Sequence, residues 1–143
     1  MKKKIKILFI CRHNSGRSQI AEAYLRYFHG DDFETESAGF EPSEEVNPLV
    51  VQVMKEVGLD LSQKKPQSVF ELFKRGNLYE HVITVCQESE GACPVFPGIT
   101  KRWSWPFPDP AAAEGTEAEK LETVRNIRDA IRNWVQDFPE KLK

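Results

Sequence analysis

A short apolar run at residues 4–10 leads without a spacer into Cys11-Arg12-His13-Asn14-Ser15-Gly16-Arg17-Ser18, and helical periodicity begins on the far side. This order, strand then tight loop then helix, constrains the chain more than any other feature. A run that is apolar nearly throughout suits a parallel strand buried on both faces. A loop of this length can wrap a tetrahedral oxyanion, with backbone N–H groups turned inward and the helix N-terminus adding positive potential. Arg17 offers a planar fork of donors to the same anion. In that field the Cys11 thiol is expected as the thiolate, its nucleophilic form. The expected anion-binding residues are therefore Arg12, His13, Asn14, Ser15, Gly16 and Arg17. Asn14 tolerates left-handed backbone angles, which help turn successive N–H groups to one side, and Gly16 relieves steric limits in the same turn. Ser18 has two compatible readings, as a helix N-cap and as a hydroxyl donor to the Cys11 sulfur.

Strand and helix signals then alternate. Residues 18–28 carry helical spacing through Ile20, Tyr24, Tyr27 and Phe28, with Gly30 as the stop. Residues 33–37 alternate as a shorter, edge-type strand. Asn47-Pro48 is an N-cap followed by proline at the first helical position, and Val50, Val53, Met54 and Val57 continue one face to Gly58. Ser68 with Glu71, and Thr116 with Glu119, are capping boxes. The first opens a short helix ending near Gly76; the helix after the second is expected to bury Leu121, Val124, Ile127, Ile131, Val135 and Phe138. Residues 81–86 and 100–105 read as third and fourth strands. The pattern implies an α/β fold with a parallel sheet and helices on both faces, as one domain over residues 1–143. Ligands of such sheets bind outside the carboxyl ends of the strands, where Cys11, Cys86 and Asp109 can meet.

The 143 residues carry a net charge of -2, which argues against nucleic acid as the main partner. Lys2, Lys3 and Lys4 before an apolar run resemble a secretory leader, but the run is short, contains Lys6 and lacks a small-residue cleavage site. No stretch is long enough to span a membrane, so a soluble cytoplasmic protein is expected. Cys11, Cys86 and Cys93 are too few, and odd in number, for a disulfide scaffold. Cys86 taken alone is a small buried residue at a strand end. Beside Cys11, however, two further thiols allow an oxidation to pass by exchange from a buried site to an accessible loop. Asp109 lies between Pro108 and Pro110. An Asp-Pro pair alone is an ordinary turn; with a Cys-x5-Arg loop in the same chain it reads as a general acid for an oxygen leaving group.

These residues resemble the thioredoxin-coupled arsenate reductases, which share their fold with the low-molecular-weight protein tyrosine phosphatases. The resemblance covers almost the whole chain: Cys11 to Ser18 with Gln19-Ile20-Ala21-Glu22, Ser37-Ala38-Gly39, Val53 to Gly58, Cys86 with Cys93-Pro94, Pro108-Asp109-Pro110 and Glu114-Gly115-Thr116. The C-x6-C pair points to the reductase branch. So do Gln19, where phosphatases commonly have Pro, and Ala111 and Ala112, where they commonly have aromatic residues. The resemblance implies a four-stranded parallel sheet of order 2-1-3-4, arsenate or phosphate in the cradle, and thioredoxin as partner, with no membrane or nucleic acid and a monomeric chain. It implies catalytic roles for Cys11, Arg17, Ser18 and Asp109, with Cys86 and Cys93 as resolving thiols. Familiar reductases often carry a second cysteine where this chain has Gly16. No tightly bound cofactor is implied, but some relatives hold potassium near the cradle. Asn14, Glu22 and Ser37 match three of its ligating positions, and Gln67 stands where the fourth is usually Asp. A phosphatase needs only Cys11, Arg17 and Asp109 and is the first alternative; a non-enzymatic anion-sensing module is the second. If residues 86–93 were helical or otherwise extended, a Cys86–Cys93 disulfide would also require motion. Seven helical steps of about 1.5 Å separate two residues by about 10.5 Å, against roughly 4.4–6.8 Å between bridged Cα atoms. Oxidation is therefore expected to loosen residues 87–97.

Overall fold

The computed structural model describes residues 3–85 and 100–141 of the chain. Cys86, Cys93 and the segment between them lie outside the described residues. The elements are β1 (Ile5–Cys11), α1 (Arg17–His29), β2 (Phe33–Gly39), α2 (Pro48–Glu56), α3 (Val69–Lys74), β3 (His81–Thr84), β4 (Lys101–Ser104), a 3-10 turn (Pro110–Ala112), α4 (Glu117–Gln136) and α5 (Phe138–Lys141). The strands form a four-stranded sheet in the order β2-β1-β3-β4, and each neighbouring pair is parallel. This is the expected 2-1-3-4 topology.

From Ile7 onward β1 is apolar because both of its faces are covered, whereas Ile5 and Lys6 at its start are exposed. Ile7, Phe9 and Cys11 join the larger core, formed with α1, α2, α4 and α5. Leu8 and Ile10 face the smaller core with Val69 and Leu72 of α3. On the larger side Phe9 packs against Trp134 and Phe138, with ring centroids 6.3 and 6.4 Å apart. Among the described residues no helix is long and apolar enough to cross a membrane.

The helix signals differ in how fully they form. At Thr116 the capping box is reciprocal: Glu119 N–H donates to Thr116 Oγ1 at 3.2 Å, and Thr116 N–H to Glu119 Oε1 at 3.1 Å. Ser68 Oγ accepts the N–H groups of Phe70 and Glu71, while the Glu71 carboxylate lies 3.7 Å from the Lys74 ammonium. α2 stops one residue early, at Glu56; Val57 is its half-exposed cap, and Gly58 then takes φ 80°. The apolar stripe read through Phe138 belongs to two helices. α4 ends at Gln136 and α5 starts at Phe138, where the following Pro139 has no N–H to continue α4 but is tolerated in a first turn. Phe138 is nonetheless buried, and Trp134 completes the stripe.

Glu56, at the end of α2, clamps that helix to α4. Its carboxylate accepts from Arg125 Nη2 at 2.8 Å and Arg128 Nη1 at 2.9 Å. The Arg125 hydrogen bonds, with Arg128 adding to them against partial burial, lower the Glu56 carboxyl from its ordinary 4.5 to about 2. A carboxyl depressed in the folded state stabilises fully above its unfolded pKa, and that contribution fades as pH falls through the folded one. The difference in urea midpoint between the native protein and Glu56→Gln is therefore expected to be constant above pH 4.5 and to shrink toward pH 2. A difference unchanged across that window would show that the clamp does not depend on the ionised carboxylate.

Candidate active site

The loop from β1 to α1 is held by its carbonyl groups. Arg12 O accepts from Glu41 N at 2.8 Å, His13 O from Ser43 N at 3.1 Å, Ser15 O from Asn47 N at 2.8 Å and Gly16 O from Ile20 N at 2.9 Å. Asn14 O accepts from Gln19 Nε2 at 3.2 Å. In a trans peptide the N–H points opposite to the C=O. With these carbonyls turned outward, the N–H groups of His13, Asn14, Ser15, Gly16 and Arg17 turn inward. The Asn14 N–H shows this directly, lying 3.2 Å from Cys11 Sγ. Inward N–H groups at a helix N-terminus make a concavity for an anion.

Asn14 has φ 53°, as expected of the residue that reverses the loop. Gly16 has φ −149° and ψ −89°. A Cβ there would come 3.2 Å from Pro110 Cγ, so the glycine leaves room where the Asp109-Pro110 turn closes on the cradle. Gly39 answers the same need at the end of β2, where a Cβ would sit 2.7 Å from Arg12 O and 2.8 Å from Asn14 N. The side chains of Arg12 and His13 face away from the cradle. Arg12 Nη2 is 3.4 Å from Glu41 Oε1 and His13 Nδ1 is 2.8 Å from Glu41 O, so what these two residues offer an anion is backbone.

A chain of donors converges on Cys11, whose side chain is buried. Asn14 Oδ1 accepts from the backbone N–H of Gln67 at 3.0 Å and from Gln19 Nε2 at 3.1 Å. A backbone donor cannot be reversed, so the Asn14 amide is fixed with Nδ2 toward Ser18 Oγ, 2.8 Å away. Ser18 Oγ thus receives a hydrogen from Asn14 and aims its own at Cys11 Sγ, also at 2.8 Å. Ser18 is not the N-cap, which is Gly16. Of its two sequence readings, the contact with the sulfur is the one formed.

Arg17 is buried at the cradle rim. Its Nη1 donates to Phe107 O at 3.2 Å, and its Nη2 lies 3.8 Å from Asp109 Oδ2. Asp109 Oδ1 accepts from Ala111 N at 2.9 Å. One oxygen thus caps the turn, the ordinary reading of an Asp-Pro pair, and the other faces Arg17 at the cradle rim. The described part of the third strand segment ends with Val85, whose N–H donates to Ile10 O at 2.9 Å, one residue before Cys11.

Behind the cradle, Asn14, Glu22, Ser37 and Gln67 lie in one hydrogen-bonded cluster. Glu22 Oε1 accepts from Ser37 Oγ at 2.5 Å, and Oε2 accepts from Lys64 Nζ at 2.7 Å and Arg26 Nη2 at 2.8 Å. Gln67 Nε2 donates to Ser37 O at 2.8 Å. Each of these oxygens thus meets a protein donor, an arrangement that does not fit a bound cation. Sequence reasoning missed Lys64 here, as well as the contributions of Gln19, Gly39 and Phe107. All of them act through contacts between segments far apart in the chain, which no local pattern signals.

A parallel sheet with a thiol below an N–H cradle and an Arg–Asp pair at its rim defines an oxyanion-handling fold. The low molecular weight phosphotyrosine protein phosphatase family model matches residues 6–143, and the chain belongs to that family. It is 40% identical over 144 residues to the arsenate reductase of Halalkalibacterium halodurans, covering 100% of both chains. Among solved structures, it is similar to the arsenate reductase of Archaeoglobus fulgidus, with a TM-score of 0.73 and 30% identity over 92% of this chain and 97% of that one. It is also similar to a thioredoxin-dependent arsenate reductase of Corynebacterium glutamicum, with a TM-score of 0.63 and 31% identity, covering 94% of this chain and 63% of that one.

Proposed function

We propose that this protein reduces arsenate to arsenite in the Cys11–Ser18 cradle and takes its electrons from thioredoxin. One observation carries the reading: a thiol held by two hydrogen-bond donors at the floor of an anion cradle, in a chain 40% identical throughout to an arsenate reductase. Hydrogen bonds to a charged form favour that form, so the donors from Ser18 and Asn14 support Cys11 as thiolate. The inward N–H groups and Arg17 hold the arsenate oxygens. Cys11 attacks arsenic, an As–O bond breaks, and a protonated Asp109 gives its proton to the departing oxygen, which leaves as water. Cys86 as thiolate then attacks the Cys11 sulfur. The S–As bond breaks with its electron pair going to arsenic, which leaves as arsenite, and a Cys11–Cys86 disulfide remains. Cys93 attacks Cys86 and frees Cys11, and the dithiol of thioredoxin reduces the Cys86–Cys93 disulfide. The two electrons gained by arsenic are those lost by two thiols. A cycle that must return to the dithiol state belongs in a reducing compartment, which supports the cytoplasm as its site.

The family match favours a second, weaker activity. Phosphate esters share the first step, and water then hydrolyses the phospho-cysteine. Ala111 and Ala112 beside Asp109 build no aromatic wall for a phosphotyrosine ring. Steady-state arsenate reduction with thioredoxin, thioredoxin reductase and NADPH, measured beside aryl phosphate hydrolysis, tests the order. Arsenate turnover is expected to dominate; hydrolysis alone would make the protein a phosphatase.

Arg17→Lys keeps the charge but loses the planar fork. Removing a donor aimed at transition-state charge costs on the order of 3 kcal/mol, so both activities are expected to fall roughly a hundredfold. A near-native rate for the Lys variant would place Arg17 outside the chemistry.

A further inference from the structure

We propose that Lys64 is a positioning residue whose ammonium takes the place of an inorganic cation behind the cradle, so that this protein works without potassium. The proposal rests on the cradle being the reactive site, as set out above. Glu22 is a carboxylate with a side chain only 3% exposed, and a buried carboxylate needs a compensating charge. Lys64 Nζ supplies one at 2.7 Å and Arg26 Nη2 another at 2.8 Å, both on Oε2. A further cation would meet a carboxylate oxygen already taken by two cationic groups. It would also meet a donor in the Gln67 side chain, whose amide Nε2 goes to Ser37 O, where a carboxylate at this position would present only oxygens. The residue exchange at position 67 and the ammonium of Lys64 therefore act in the same direction.

The pair is linked to the reactive sulfur by an unbroken series of hydrogen bonds. Lys64 holds Glu22, and Glu22 Oε1 takes the Ser37 hydroxyl. Ser37 O takes the Gln67 side chain, and the Gln67 N–H holds Asn14 Oδ1. Asn14 Nδ2 then fixes Ser18, whose Oγ lies 2.8 Å from Cys11 Sγ. Partners behind a functional group that fix its orientation tune its chemistry. The Glu22–Lys64 pair also borders an open cavity of about 290 Å³, whose lining includes Gln19, Arg26, Leu59, Asp60 and Leu61. If the Lys64 head were removed, a small cation would have a path to Glu22.

The test compares the full-length protein with Lys64→Met and Lys64→Arg in potassium, sodium and tetramethylammonium chloride at equal ionic strength. The readouts are thermal midpoint, the pH profile of Cys11 alkylation by iodoacetamide, and turnover. The native protein is expected to give the same values in all three salts. In tetramethylammonium, Lys64→Met is expected to need a higher pH for Cys11 alkylation and to turn over about tenfold more slowly, a loss of the size seen when an outer partner of a site is removed. Potassium is expected to restore both readouts and to raise the thermal midpoint of Lys64→Met, while Lys64→Arg stays close to native. Activation of the native protein by potassium would overturn the proposal. So would a Lys64→Met variant with a native alkylation profile in every salt, or one whose loss potassium does not relieve. Alkylation and thermal midpoint need no substrate, so the role of Lys64 is decided even if the protein turns over neither arsenate nor aryl phosphate. If Lys64→Met does not fold, the salt response of the native protein still decides.

Discussion

Cys11→Ser protein is expected to fold, to bind phosphate, and to show no measurable arsenate reduction or aryl phosphate hydrolysis. The N–H cradle is built from backbone, and the carbonyls that shape it are tied to Glu41, Ser43, Asn47, Gln19 and Ile20. Sulfur to oxygen is a small change in a buried position, so the cradle should survive it. The chemistry should not. Hydrogen bonds from Ser18 and Asn14 favour the anionic form of the thiol, whereas a serine hydroxyl stays protonated in the same field and is a poor nucleophile without a base beside it. Phosphate binding by calorimetry, together with both turnover assays, checks this. Substantial residual turnover of either substrate would exclude Cys11 as the shared nucleophile.

The second large effect separates the two activities. Cys86→Ser and Cys93→Ser are each expected to stop multiple-turnover arsenate reduction while leaving aryl phosphate hydrolysis largely intact. Release of arsenite needs a second thiol to take the Cys11 sulfur, and regeneration of Cys11 needs a third. A phospho-cysteine needs only water. Without Cys93, arsenate reduction should halt after one arsenite per protein with Cys11 and Cys86 joined; without Cys86, arsenite release itself should fail. A burst of arsenite and mass spectrometry of trapped disulfides distinguish the two. Equal loss of arsenate and phosphate turnover in either variant would make that cysteine structural. The motion expected of residues 87–97 is tested by hydrogen exchange on the reduced and oxidised protein, where faster exchange confined to that segment on oxidation is the expected result.

The local sequence carried much of the fold. A doubly buried strand needs consecutive apolar residues, so residues 7–10 mark the centre of the sheet by composition alone. Asn47-Pro48 and Thr116 with Glu119 announce helix starts because caps satisfy backbone donors within a few residues of the chain. The strand order follows from the resemblance and is realised as β2-β1-β3-β4. Errors fall at ends. The stripe through Phe138 has helical spacing, but spacing cannot show that the chain breaks at Asp137 while Phe138 stays in the core.

In the site, residue types and spacing from Cys11 to Ser18 determined the cradle, because the groups that line it are consecutive. Asn14 with its left-handed backbone was legible for the same reason. Gly16 was legible as a glycine of the turn, but its close approach to Pro110 was not, since Pro110 is brought over the loop from nearly a hundred residues later in the chain. Orientation was decided by tertiary structure alone. Ser18 points at sulfur instead of capping its helix because Gln67 and Gln19 fix the Asn14 amide. Arg17 is aimed by the Phe107 carbonyl, and Glu22 meets Lys64 across forty-two residues of chain. A sequence specifies which donors and acceptors exist and how close they lie along the chain. Which of them meet is settled by the packing of α1, β2 and the turn before α3 against one strand end, and that packing turned a recognisable loop into an oriented thiol.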